Sequence, residues 1–170
     1  MQTSKFWLRG EALDGRNGHE AGRQLLEKLY RDVTGQVLPE IRIAEGGKPY
    51  FPDNPFYFSI SHTKAHVFCC LSQVPVGIDA EEQDREINLA LAEKILSLEE
   101  KIQFDTAPDP REALLKFWVL KEAAAKRSGK GLQGYPNHTQ FSLMDSRIQI
   151  LEGCFVAVLT QERNEESYAI

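Results

Sequence analysis

Apolar and polar positions alternate in two different periods along this chain, and the change of period marks its elements. Between Ala21 and Tyr30, Leu25, Leu26 and Leu29 fall on one face, while Arg23, Lys28 and Arg31 can reach solvent, which predicts an amphipathic helix. Phe6-Trp7-Leu8 predicts a short strand before it. After Pro39, Ile41 and Ile43 alternate with Glu40 and Arg42 as in a half-buried strand, and Gly46-Gly47-Lys48-Pro49 predicts a turn. Phe56, Phe58 and Ile60 alternate with Tyr57, Ser59 and Ser61, so a strand with one apolar face should end at Ser61-His62-Thr63. A second strand is expected from Val67 to Leu71, and a third from Val74 to Glu81 with its even positions all apolar.

The period then lengthens. Two helical pieces are expected between Ile87 and Phe104, the second opened by a capping box at Ser97-Leu98-Glu99-Glu100. A turn from Phe104 to Asp109 leads into a long helix. Asp109 is its N-cap and Pro110 its first residue, Glu112 is placed for a capping-box-like pair, and Gly129 is the left-handed stop. Leu114, Phe117, Leu120 (or Lys121) and Ala124 form its core stripe, and Trp118, Glu122 and Lys126 stack on the adjacent face. Strands are expected around Phe141 and over 155–159, and a last one at Tyr168-Ala169-Ile170. The fold class is α+β: two sets of helix plus antiparallel strands, split near Pro75.

A chain of 170 residues suits one compact domain or two small halves sharing a core. No apolar run is long enough to span a bilayer, and MQTSKFWLRGE lacks the apolar core of a signal peptide. Cys69, Cys70 and Cys154 show no metal-ligand spacing and read as reduced, buried thiols of a cytoplasmic protein. A net charge of −5 argues against a general nucleic-acid binder but leaves room for a local basic site.

Two places carry candidate chemistry. Asp79 and Glu81 sit two apart on a strand and project from one face, where two carboxylates repel unless a cation neutralises both. Oxygen ligands of that kind suit Mg²⁺, which takes one or two carboxylates, waters and substrate phosphates. The plainer alternative is a wet strand edge that binds nothing. At Ser61-His62-Thr63 a strand-end histidine between two hydroxyls is either a turn or a set of anion donors, the latter if the Lys48 turn lies near. His19, His66 and His138 have no comparable surroundings in the sequence.

Taken in order, GKP at Gly47–Pro49, FSISHT at Phe58–Thr63, GIDAE at Gly77–Glu81 and FWVLKEAAAKRSGKGL at Phe117–Leu132 resemble the 4'-phosphopantetheinyl transferases. The likeness is greatest to the type that activates surfactin synthetase and similar peptide and polyketide synthases. It covers roughly residues 20 to 160, and four motifs in order are far more specific than any one.

The resemblance implies a pseudo-dimer of two similar halves, 1–75 and 76–170, each of antiparallel strands packed with helices. It implies a monomer with the coenzyme A site between the halves. It further implies Mg²⁺-dependent transfer of the 4'-phosphopantetheine arm to a serine of an apo acyl or peptidyl carrier protein, with no nucleic acid or membrane as partner. Asp79 and Glu122 match Mg²⁺ ligands, and Glu81 matches a ligand of some members only. Lys48 and Pro49 match a turn lying against coenzyme A. Ser61 and His62 match nucleotide-phosphate contacts, with His62 on the 3'-phosphate. Lys126 matches the lysine reaching the diphosphate; for the attacking serine a base is needed, and Glu122, directly or through a metal-bound water, is the group expected to serve. Trp118 and Lys121 share that motif in a more structural part, and Arg16 and Arg23 are candidates for further phosphate contacts. The alternatives are another Mg²⁺-dependent nucleotide-phosphate enzyme and a module that holds coenzyme A or a carrier protein without turnover.

Overall fold

The structure, a computed structural model, describes residues 6–131 and 139–161. Strand β1 (Phe6–Ala12) is followed by helix α1 (Gly18–Thr34), a small hairpin of β2 (Arg42–Ile43) and β3 (Pro49–Tyr50), and a larger one of β4 (Tyr57–His62) and β5 (His66–Ser72). Strand β6 (Val76–Glu82) opens a second round. A 3₁₀ turn (Leu89–Leu91) leads to α2 (Ala92–Ile95), α3 (Leu98–Thr106), α4 (Pro110–Ser128) and the hairpin β7 (Ile148–Leu151) and β8 (Cys154–Thr160). The antiparallel sheets run β1-β5-β4 and β6-β8-β7. In each, a first strand is followed by helix and then by a hairpin whose last strand takes the centre of the sheet.

Strand alternation divides the apolar residues among three cores. Val67, Cys69 and Leu71 of β5 face α1, where Leu25, Leu26 and Leu29 lie. Phe155, Ala157 and Leu159 of β8 face α4, against Leu114, Phe117 and Leu120. The remaining strand positions, Phe68 and Cys70 with Val76, Ile78, Ala80, Val156 and Val158, fill the space between the sheets. The molecule is therefore layered helix, sheet, sheet, helix, and a period of two sorts each strand's side chains to opposite layers.

Edge strands β4 and β6 meet without a backbone ladder. The Ser59 hydroxyl accepts from the Ile78 amide at 3.1 Å, and the Ser61 hydroxyl from the Ala80 amide at 3.2 Å. The single apolar face expected of β4 is present, with Phe58 in the core and Phe56 and Ile60 packed on it, while Ser59 and Ser61 on the other face are buried because their hydroxyls serve the neighbouring edge.

Other expectations are met or corrected locally. Asn17 caps α1 by accepting from the amides of His19 and Glu20. Ser97 and Glu100 close the full capping box on α3, which runs to Thr106, beyond the expected turn at Phe104. Asp109 caps α4 and Gly129 ends it at φ 71°, but the Glu112 carboxylate pairs with Lys116 at 2.7 Å instead of completing a box. No strand forms at Phe141. Its amide donates to Glu100 Oε1 at 2.7 Å and its ring is buried, so it plugs the core, and the strand lies later, at β7. Ile43 is exposed because β2 spans only two residues. The strand expected at Tyr168–Ile170, together with Leu132 and His138, lies outside the described residues. Cys69, Cys70 and Cys154 are unpaired and buried. Among the described residues no helix is long and apolar enough to cross a membrane.

Candidate active site

The site is built where β6 meets α4. Gly77 makes the approach possible: a Cβ there would lie 2.0 Å from the Ala123 carbonyl oxygen and 2.4 Å from the Arg127 amide nitrogen. Strand and helix backbones therefore touch, and the face of β6 carrying Asp79 and Glu81 lies against the face of α4 carrying Trp118, Glu122 and Lys126. A cavity of about 740 Å³ opens beside them, within the usual range for small-molecule sites. Lys48, Pro49, Ser61, His62, Asp79, Glu81, Glu122 and Lys126 all line it, so the four dispersed motifs converge.

Asp79 is 6% exposed. Its Oδ1 accepts from Lys126 Nζ at 2.8 Å and from the Ser61 hydroxyl at 3.3 Å. Its Oδ2 is buried with no hydrogen-bond partner among the described residues. Burial raises its pKa, against the opposing pull of Lys126. Glu81 is pushed up to about 6, by burial first and by the Asp79 charge second. Its Oε1 accepts from the Trp118 indole at 3.2 Å and pairs with Arg85. Glu122 is raised too, again by burial and then by Asp79. Burial is the first cause of all three shifts, and the Asp79 charge adds to those of Glu81 and Glu122. An unsatisfied oxygen among these carboxylates is what a divalent cation would relieve, so the donor set fits one.

Other predicted residues take parts the sequence did not show. Lys48 lines the cavity with its stem, but its ammonium donates to the carbonyls of Arg127 at 2.8 Å and Val76 at 3.2 Å, bracing the end of α4. Burial lowers its pKa. Ser61 joins Asp79 to the edge of β6. His62 is exposed on the cavity lining, its ring over Gly18, where a Cβ would come within 2.5 Å of it.

His19, passed over in the sequence, stands edge-on to His62 with ring centroids 5.1 Å apart and also lines the cavity. Arg23, one helical turn on, joins it. The spacing of His19 and Arg23 on one helix face was the available signal. Arg16 is engaged elsewhere, with Glu11 and the carbonyls of Leu13 and Ala12. Lys121 faces away from the cavity, in a fully buried pair with Glu100 at 2.8 Å.

The cavity lining thus combines two imidazoles and a guanidinium with carboxylates and an ammonium.

A family model described as the 4'-phosphopantetheinyl transferase superfamily matches residues 75–167. The 4'-phosphopantetheinyl transferase psf-1 of Bacillus pumilus is 35% identical over 114 residues, 65% of this chain and 47% of that protein. The 4'-phosphopantetheinyl transferase gsp of Aneurinibacillus migulanus is 36% identical over 125 residues, 68% of this chain and 52% of that protein. A putative 4'-phosphopantetheinyl transferase of Haemophilus influenzae is 34% identical over 110 residues, 62% of this chain and 47% of that protein. The chain spans about half the length of the curated relatives it matches.

Proposed function

Because the chain belongs to the 4'-phosphopantetheinyl transferase superfamily, we propose that it moves the 4'-phosphopantetheine arm of coenzyme A onto a serine of an apo acyl or peptidyl carrier protein. The observation that carries this reading is the buried, unpartnered Oδ2 of Asp79 in a cavity it shares with Glu81, Glu122 and Lys126. Asp79 and Glu122, with Glu81 beside them, are the residues to hold Mg²⁺. Bound there, the ion would neutralise the diphosphate as a Lewis acid.

The chain's own groups do the rest. His62, with His19 and Arg23, takes the 3'-phosphate. Lys126, whose side chain is 34% exposed, turns from Asp79 to the diphosphate and offsets charge on the departing group. Glu122 accepts the proton of the carrier serine, a task for which its raised pKa suits it. The serine oxygen bonds to the phosphorus next to the pantetheine arm, the bond from that phosphorus to the bridging oxygen breaks, and 3',5'-ADP leaves. Positioning and electrostatics dominate such a transfer.

The same order of strand, helix and hairpin in both sheets supports a pseudo-dimer of halves 1–75 and 76–170. A cavity lined from both halves is consistent with action as a monomer. Three unpaired buried thiols suit the reducing cytoplasm.

Incubation with coenzyme A, Mg²⁺ and an apo carrier protein, read by intact mass, tests the reading. The carrier should gain one phosphopantetheine, whereas binding without mass gain leaves only a holding module. In the same assay dephospho-coenzyme A should show a KM higher by about ten- to a hundredfold, and His62→Ala should erase most of that difference. Equal KM values in the parent protein would remove His62 from 3'-phosphate recognition.

The carrier must dock beside this cavity. Between Ile87 and Phe104, Ile95 is buried, and Leu91 and Phe104 pack on the core, but Leu89, Leu98 (73% exposed) and Ile102 (61% exposed) face solvent. Leu98 and Ile102 lie one turn apart on α3, which the Glu100–Lys121 pair fastens to α4. An exposed apolar pair suits a partner whose attraction cannot come from the net charge of an acidic chain. Leu98→Gln with Ile102→Gln should raise KM for carrier protein about tenfold and leave KM for coenzyme A unchanged. Equal changes in both would move docking elsewhere.

A further inference from the structure

Away from the cavity, β5, β6 and β8 bring three unlike side chains together at their ends: His66, Glu82 and Cys154. Their ligand atoms all lie within 4.8 Å of one another. His66 Nδ1 is 3.0 Å from Glu82 Oε1, Cys154 Sγ is 3.6 Å from His66 Nδ1, and Cys154 Sγ is 3.4 Å from Glu82 Oε2. From this arrangement we infer that the protein carries a second metal site, a Zn²⁺ site made by His66, Glu82 and Cys154.

Geometry comes first. Tetrahedral Zn²⁺ with bonds of about 2.3 Å to sulfur and about 2.0 Å to nitrogen or oxygen separates its ligand atoms by about 3.3–3.5 Å. The sulfur–nitrogen separation matches that spacing. His66 and Cys154 meet different oxygens of Glu82, and with one ligand atom taken from each residue the set stays within 4.8 Å, so turning the carboxylate would bring three ligands onto one face of a zinc tetrahedron. The fourth position falls to solvent.

Ligand type selects the ion. A thiolate with an imidazole suits Zn²⁺ and disfavours Mg²⁺, which asks for oxygen ligands. The carboxylates of the cavity, Asp79, Glu81 and Glu122, have the opposite preference. Support around the ligands is also in place. The Thr63 hydroxyl donates to Glu82 Oε1 and itself accepts from the amides of Ala65 and His66, which fixes the carboxylate from behind. The His66 and Glu82 side chains are 18% and 21% exposed, so an ion has a way in. The site spans both sheets, with His66 in the first and Glu82 and Cys154 in the second, and lies at the end of the core between them. Zinc here would staple the two halves.

The test uses the whole chain with Zn²⁺, then Co²⁺ as a spectroscopic probe. One equivalent of Zn²⁺ should bind in excess Mg²⁺ and raise Tm. Co²⁺ should give a thiolate charge-transfer band with tetrahedral ligand-field intensity. His66→Gln and Glu82→Gln keep polar side chains at partly exposed positions. Each should weaken Zn²⁺ by more than about a hundredfold, since loss of even an outer-shell partner costs roughly 10–100-fold. Cys154→Ser should remove the charge-transfer band, and Asp79→Ala should leave binding intact. Absence of that band in the folded parent protein, or Zn²⁺ binding that Mg²⁺ competes away and Asp79→Ala abolishes, would overturn the inference.

Discussion

Asp79→Ala and Glu122→Ala are each expected to lower carrier-protein modification by at least about a thousandfold while the protein stays folded. Losing a metal contact forfeits several kcal/mol of charge stabilisation on the diphosphate, and each 1.36 kcal/mol is about tenfold in rate. Stability should not fall with it. Asp79 is a carboxylate whose burial opposes its charge, and its partner Lys126 is exposed enough to be solvated when released. Removing Asp79 therefore deletes a group the fold tolerates rather than needs. Glu81→Gln should be milder, because the Glu81 carboxylate is already engaged by Trp118 and Arg85. A pH dependence follows with a definite sign. Protonated carboxyls cannot ligate a cation, and Glu81 sits at about 6 with Asp79 and Glu122 also raised. The Mg²⁺ concentration for half-activation should climb as pH falls through that region. Turnover by folded Asp79→Ala within tenfold of the parent would refute the metal assignment.

The second large effect is on stability. Glu100 is 0% exposed and Lys121 2% exposed. Glu100 Oε2 meets Lys121 Nζ at 2.8 Å and accepts from the Ser97 amide, while Oε1 accepts from the Phe141 amide. Lys121 also donates to the Thr139 carbonyl at 2.7 Å. One ion pair thus joins the start of α3, the middle of α4 and the segment leading to β7. Burial lowers the pKa of Lys121 even against the Glu100 carboxylate, so the pair is costly to bury. Losing one partner is costlier. Lys121→Met strands a carboxylate in the core and should destabilise by about 3–5 kcal/mol. For a chain of this size that lowers Tm by roughly 10 °C. Lys116→Met, which breaks the Glu112 pair on the helix surface, should change stability by no more than about 0.5 kcal/mol. Thermal melts that shift equally for the two variants would show that Glu100 and Lys121 do not bind these segments together.

What could be read in advance follows the range of the forces. The limits of α4 are set by Asp109, Pro110 and Gly129 within one turn of each end, so the sequence shows them directly. The alternation of β6 is equally local, and it put Asp79 and Glu81 on the face that meets α4. Phe141 was misread because its strand-like apolarity answers to Glu100, 41 residues away. Lys48 lines the cavity, in the turn the sequence motif marks, but its ammonium turns to the carbonyls of Val76 and Arg127, and only folding brings those within reach. His66, Glu82 and Cys154 show no spacing signature because each comes from a different strand, the first and last 88 positions apart.

The serine stitching between β4 and β6 has a consequence for life at high concentration. An unpaired strand edge is a template on which a second chain can continue the sheet, and such growth ends in aggregates. Here the Ile78 and Ala80 amides that would recruit a stranger are already occupied by Ser59 and Ser61. Each hydroxyl takes one amide and offers no strand in return, so the seam is closed to further growth. Two sheets that would otherwise each expose a sticky flank blunt one another, and the same hydroxyl of Ser61 steadies Asp79.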